Sequence, residues 1–359
     1  MHWIAFLAAL VALVLARTLR APARSGIVFG VLIFGVAFVA TTISVRAISV
    51  NASLTRPSDY DAFIVDAAAK VRAEPKAPLA VFVGASFSRN GLDDEKLTAD
   101  LRALGYPHRV INLSLEGASL QERDEHLQAF MRLTRRAPDV VFLEVANEFD
   151  QDPTYVFRVA KFSDRAIEQM SPNAVYWALK GLSDGQCDGK AACLKSLALL
   201  KLHAAMNISN IGLLSTGEAA SHIPAKASFD PQDMPRPTFK MNLDEIEGHL
   251  KADGAIMPSD GPSWAKHFRE AQRDRLLIQG VRRIAYYYPP VLPEADRRYV
   301  ASLCAGELSD FPCIAPVDKR LLSELEKQVW FDEKHLLREG ADVYTDWLAG
   351  QIDRWGALN

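Results

Sequence analysis

The chain has 359 residues, 49% of them hydrophobic and 24% charged, enough apolar material for one large or two ordinary domains with a buried core. A formal net charge of −3, with no long run of Lys or Arg, excludes the electrostatic footprint of a nucleic-acid-binding protein. The absence of any Cys-x-x-Cys pair with histidines at ligand spacing gives no reason to expect a zinc site.

The first segment differs from the rest. Trp3 to Leu15 is almost wholly apolar, and no charged residue occurs from Ser25 to Val45. About 20 apolar residues cross a bilayer, so the second run is long enough and the first is short. Arg17, Arg20 and Arg24 lie between them. Positive loops stay in the cytoplasm, which predicts a transmembrane hairpin over 1–46, with a cytoplasmic tip and everything after Arg46 outside. Gly26 and Gly30 form a single Gly-x-x-x-Gly in the second run, a weak signal for helix pairing. The alternative is a buried helical hairpin of a soluble core.

Residues 47–77 read as a linker with helical periodicity over Asp59 to Val71, stopped by Pro75 and Pro78. Leu79 to Val83 is an unbroken apolar run of strand length, as in a strand covered on both faces. It ends on Gly84-Ala85-Ser86. A helix is expected over Asp93 to Leu104, a strand over Arg109 to Leu115, a long polar helix over Ala118 to Arg136 and a strand over Pro138 to Val145. This alternation predicts an α/β fold with a parallel sheet covered by helices. Ser86, Gly117 and Asn147 each follow a predicted strand, at the edge where such sheets bind ligands.

The rhythm breaks over 150–262, which reads as an insertion above that edge, a lid or cap without a recognisable chemical motif. Helical pieces are expected at Arg165 to Lys180 and Leu194 to Met206. The rhythm resumes with a helix over Ser263 to Ile278, a strand from Arg283 stopped by Pro289 and Pro290, and a short strand near Pro312 to Ala315. Helices over Lys319 to Val329 and Ala341 to Trp355 close the chain. The four cysteines form two close pairs, Cys187 with Cys193 and Cys304 with Cys313. Two local disulfides in an oxidising compartment fit that spacing; four free thiols are the alternative.

Asp332 and His335 stand three apart before a Gly-Ala step, a pattern suited to an orienting carboxylate and a general base. Ser86 is the candidate nucleophile, with Ser88 its rival, and the order Ser, Asp, His suggests acyl transfer on an α/β fold. The alternatives are a strand-end cap at Ser86, a surface ion pair at Asp332 and His335, and a turn-tying Asn147. Arg89 and Asn90 are open between a role in the turn and contact with an acidic substrate.

These stretches together resemble the SGNH hydrolase superfamily of GDSL-like esterases and acyltransferases. The resemblance rests on Gly84-Ala85-Ser86, on Gly117 of Asn112-Leu-Ser-Leu-Glu-Gly117, on Asn147 of Glu144-Val-Ala-Asn147, and on Asp332-x-x-His335-Leu followed by Gly340-Ala341. It covers residues 78–150 and about 265–355. The chain departs from the pattern where Asp of Gly-Asp-Ser-Leu is Ala85, and where Val145 replaces the glycine of the third block.

The resemblance implies a flavodoxin-like three-layer sandwich over 78–359. It implies a catalytic triad of Ser86, His335 and Asp332, an oxyanion hole from the N–H groups of Ser86 and Gly117 and the Asn147 amide, and no cofactor or metal. It further implies a membrane-anchored, extracytoplasmic (periplasmic) O-acyltransferase of the cell envelope. By the same resemblance, that enzyme would use an acylated donor and a hydroxyl acceptor and work beside a membrane-bound O-acyltransferase. An esterase, a D-alanyl-transfer protein and a non-catalytic envelope scaffold are the other readings.

Overall fold

The computed structural model describes residues 59–145, 172–184, 226–240, 242–250, 256–261, 263–327 and 329–358, with shorter runs at 28–38 and 191–195 and isolated positions besides. The chain divides into two units, Met1–Leu54 and Thr55–Asn359. In the first, residues 28–38 are helical and carry exposed apolar side chains such as Phe29, Leu32 and Phe34. Among the described residues no helix is long and apolar enough to cross a membrane. Most of the hairpin expected over 1–46 lies outside them.

The second unit is built on five parallel strands in the order β2-β1-β3-β4-β5. They are β1 (Leu79–Val83), β2 (Arg109–Asn112), β3 (Val140–Glu144), β4 (Arg283–Tyr287) and β5 (Cys313–Ile314). The central strands are apolar at nearly every position because both faces are covered. Alternate residues of β1 point to opposite sides. Leu79, Val81 and Val83 enter one core with Ile111, Val141 and Ile284. Ala80 and Phe82 enter the other with Val110, Phe142 and Ala285.

Helices make the two outer layers. On the first face lie α1 (Asp59–Ala73), α4 (Leu120–Thr134), α7 (Ser263–Ile278) and α8 (Glu294–Ala305), contributing Ile64, Phe130, Leu276 and Val300. On the second lie α3 (Asp94–Ala103), α6 (Leu243–Leu250), α9 (Lys319–Glu324) and α10 (Arg338–Arg354), contributing Leu97, Ile246, Leu321 and Leu348. A six-residue helix, α2 (Ser86–Gly91), follows β1 directly, and α5 (Pro172–Ser183) precedes α6 in the chain.

Three differences from the sequence expectation stand out. The helix assigned to the 47–77 linker is part of the fold: Phe63, Ile64, Ala67 and Val71 of α1 are buried. The predicted strands are trimmed, since β2 ends at Asn112 and β4 at Tyr287. Part of the 150–262 insertion belongs to the core, because Ile246 and Leu250 of α6 are buried against the second face.

Strand order reverses between β1 and β3, the switch point where doubly wound sheets open a crevice at their C-terminal edge. Residues 226–239 run across that edge as a strap. Ser228 Oγ donates to Ser114 O (2.8 Å), Asp230 N–H to Arg89 O (3.0 Å) and Arg338 N–H to Gln232 O (2.8 Å).

Candidate active site

Ser86 opens α2 after an extended Ala85 (φ −100°, ψ −156°), so the chain turns from strand to helix within two residues. Gly84 makes this turn feasible. A Cβ there would lie 2.4 Å from Glu144 Oε2 and 2.5 Å from Ser88 Oγ. As the first helical residue, Ser86 has an N–H of the kind a helix start leaves without an intrahelical acceptor.

The other half of the site is a tight loop before α10. Val329 O accepts from Leu337 N (2.8 Å), Trp330 bridges Leu336, and Phe331 N donates to His335 O (2.9 Å). Asp332 Oδ1 accepts from the backbone N–H groups of Lys334 and His335, both at 3.0 Å, a side-chain turn of the type aspartate favours. Trp330 is buried and donates its indole N–H to Leu325 O (2.9 Å), anchoring the loop.

These two pieces meet. His335 Nε2 lies 2.9 Å from Ser86 Oγ, and His335 Nδ1 lies 2.7 Å from Asp332 Oδ1. The imidazole sits against the rings of Phe87 (5.1 Å) and Phe331 (6.3 Å). Ser86 is 9% exposed. Burial alone would push the Asp332 carboxyl up, but the hydrogen bond and charge of His335, the Lys334 N–H and Arg236 together hold it below the usual carboxylate range. Asp332 is therefore ionised at neutral pH.

Of the other expected site residues, Gly117 lies in the loop after β2 with φ +60°, the left-handed region that favours glycine. That loop borders the Ser86 turn: Leu115 N donates to Gly84 O (3.1 Å), and Glu116 pairs with Arg89 (3.1 Å). Asn147 lies outside the described residues, as does Cys187. Cys304 and Cys313 are bonded, and Cys193 is also in a disulfide. Among the described residues no group of three His, Cys, Asp or Glu side chains converges as a metal site would require.

Ser88, the rival nucleophile, is fully buried. Its hydroxyl donates to Glu144 Oε2 and accepts from the Tyr287 hydroxyl (2.6 Å). Burial, then the charge of Glu144, push the Tyr287 phenol far above its ordinary value, so it remains a neutral donor. Arg89 is 4% exposed, paired with Asp230 (2.7 Å) and Glu116, and the Asn90 amide donates to Asp230 O (2.5 Å). Both therefore tie α2 to its neighbours.

Two further residues at the site carried no sequence signal. Glu144 accepts from Ala85 N–H (3.1 Å) as well as from Ser88, and pairs with buried Arg123 (3.3 Å). Arg236, on the strap, places Nη2 3.0 Å from Asp332 Oδ2. The sequence separations are 59 residues from Ala85 to Glu144 and 96 (332 − 236) from Arg236 to Asp332, beyond any local pattern. A cavity of about 390 Å³ opens beside the histidine, lined by Arg236, Thr238, Phe239, Lys334 and His335 among others.

No protein-family model matches the chain, and no curated protein matches it. The chemical reading of the site thus rests on its own geometry: a hydroxyl, an imidazole and an ionised carboxylate in hydrogen-bonded series can deprotonate the hydroxyl for attack on an electrophilic carbon.

Proposed function

We propose that this chain is a serine acyl-transfer enzyme of the SGNH type, with a flavodoxin-like sandwich and Ser86, His335 and Asp332 as its triad. The single observation that carries this reading is the Ser86 Oγ–His335 Nε2 contact of 2.9 Å in series with the 2.7 Å His335–Asp332 contact. The 2-1-3-4-5 strand order supports it, since Ser86 follows β1 at the switch point.

In this reading Ser86 Oγ attacks the carbonyl carbon of an ester or thioester, and its proton passes to His335 Nε2. Asp332 stays ionised and stabilises the imidazolium. The oxyanion rests on the N–H groups of Ser86 and Gly117 and on the Asn147 amide, each donor contributing about 10²–10³ in rate. The bond from the acyl carbon to the donor's oxygen or sulfur then breaks, His335 returning its proton to that leaving group. An acceptor hydroxyl attacks the acyl-enzyme, gives its proton to His335, and Ser86 departs with that proton.

The acceptor we favour is a hydroxyl of a cell-envelope polysaccharide or polymer, with water as the hydrolytic alternative. The charge-free Ser25–Val45 run and the arginines before it support a membrane anchor with the catalytic unit outside. The Cys304–Cys313 disulfide supports an oxidising compartment.

A fluorophosphonate probe is expected to label Ser86, and the protein is expected to hydrolyse a small activated ester. Ser86→Ala is expected to lose labelling and to lower turnover by about 10⁴-fold or more. Absence of labelling and of hydrolysis in the wild-type protein refutes the catalytic reading and favours an envelope scaffold.

A further inference from the structure

The oxygen of Asp332 that faces away from His335 is held by a residue from outside both catalytic loops. Arg236 Nη2 lies 3.0 Å from Asp332 Oδ2, and its guanidinium stacks over Phe331 at 5.1 Å. Its backbone N–H donates to Phe331 O at 2.8 Å. Main chain, ring face and charge thus fix Arg236 on one loop, while the strap that carries it is fixed to α2 through Asp230 and to the start of α10 through Gln232.

We propose that Arg236 is a positioning residue for the triad, brought in by the 226–239 strap to fix the outer oxygen of Asp332 and with it the aim of the carboxylate at His335. The proposal deepens the acyl-transfer reading and rests on it for the role of the triad. Asp332 faces two cations that compete for its charge, Arg236 and the imidazolium that forms during turnover. With Oδ2 held by Arg236, Oδ1 stays aimed at His335 Nδ1 instead of turning toward solvent.

Among the described residues, the other groups around His335 are few. Ser86 faces Nε2, and the Phe87 and Phe331 rings are uncharged walls. Lys334 on the same loop is paired with Asp296 of α8 (3.1 Å), and Glu333 on that loop is exposed. Arg236 is thus the cation bonded to the carboxylate that His335 uses.

The test follows the His335 Nδ1–H proton shared with Asp332 by NMR in the full chain with labelled histidine, for wild type, Arg236→Gln and Arg236→Lys. Freeing Oδ2 is expected to broaden or lose that resonance in Arg236→Gln and to lower kcat for ester turnover about tenfold with KM little changed. Arg236→Lys is expected to retain most of the wild-type signal and turnover. An unchanged resonance and kcat in Arg236→Gln overturn the proposal, as does an equal loss in Arg236→Lys. A change in the resonance without any Ser86 labelling in wild type would leave the positioning role standing and remove the catalytic reading.

Discussion

Glu144 shows how a buried carboxylate can hold the turn that presents Ser86. Its carboxylate is buried between Ser88, the Ala85 N–H and Arg123, directly beneath the turn that presents Ser86. Arg123 also donates to Glu144 O and Ala118 O, both at 3.0 Å, so the guanidinium links the ends of β3 and α4. Glu144→Ala would leave that guanidinium buried without its carboxylate and two donors without an acceptor. Breaking a buried pair in this way costs about 3–5 kcal/mol. Urea unfolding is expected to show a lower midpoint with an unchanged slope, and a loss under about 1 kcal/mol would mean that the network relaxes or takes in water. The three residues proposed as a triad were legible in the chain because each stands at a break in pattern: Ser86 where an apolar run stops, Asp332 and His335 just before a helix. Glu144 and Arg236 were not, since a glutamate ending a strand and an arginine in a proline-rich stretch acquire meaning only from partners far along the chain.

At the scale of elements, the close approach of α10 to the loop that carries Asp332 and His335 is decisive. A Cβ at Gly340 would lie 2.6 Å from Val329 O and 3.0 Å from Leu336 Cδ2. Gly340→Ala therefore pushes the first turn of α10 off the hairpin that holds Asp332 and His335. Overpacking of this kind costs about 1–3 kcal/mol. The expected outcome is a lower melting temperature together with slower Ser86 labelling, whereas an unperturbed variant would show that the helix start can shift freely. The sheet strands were readable because burial on both faces leaves only apolar runs, and β1 and α7 were read to the residue. The short α2 and α6, and α8, escaped. In α8 the buried positions include Asp296 and Arg297 beside Val300, Ala301 and Leu303, so its inward side does not read as apolar. In α2 all six residues are buried, so no amphipathic pattern exists to be seen.

For the whole second unit, the far end of the sheet is stapled rather than widely paired. β5 has two residues, and Cys313 within it is bonded to Cys304 at the end of α8, nine positions away. So short a loop removes little disorder from the unfolded chain, about 2.5–3 kcal/mol on the loop-closure estimate. A Cys304→Ala/Cys313→Ala double variant is expected to lose about that much stability, read as a lower unfolding temperature, while keeping Ser86 labelling at the wild-type rate. Loss of labelling without loss of stability would instead tie β5 to the site. The parallel order itself was expected from the alternation of strands and helices; which strand neighbours which was not, because pairing between β3 and β4 spans the whole insertion.

Ser86 and His335 are 249 residues apart in sequence. A chain made from its N-terminus therefore carries the proposed nucleophile through most of its synthesis before the proposed base exists, and a product cut short before the last loop lacks the pair however much of the sheet it has formed. On the proposed function, labelling at Ser86 would report the docking of α10 onto α2 and α3.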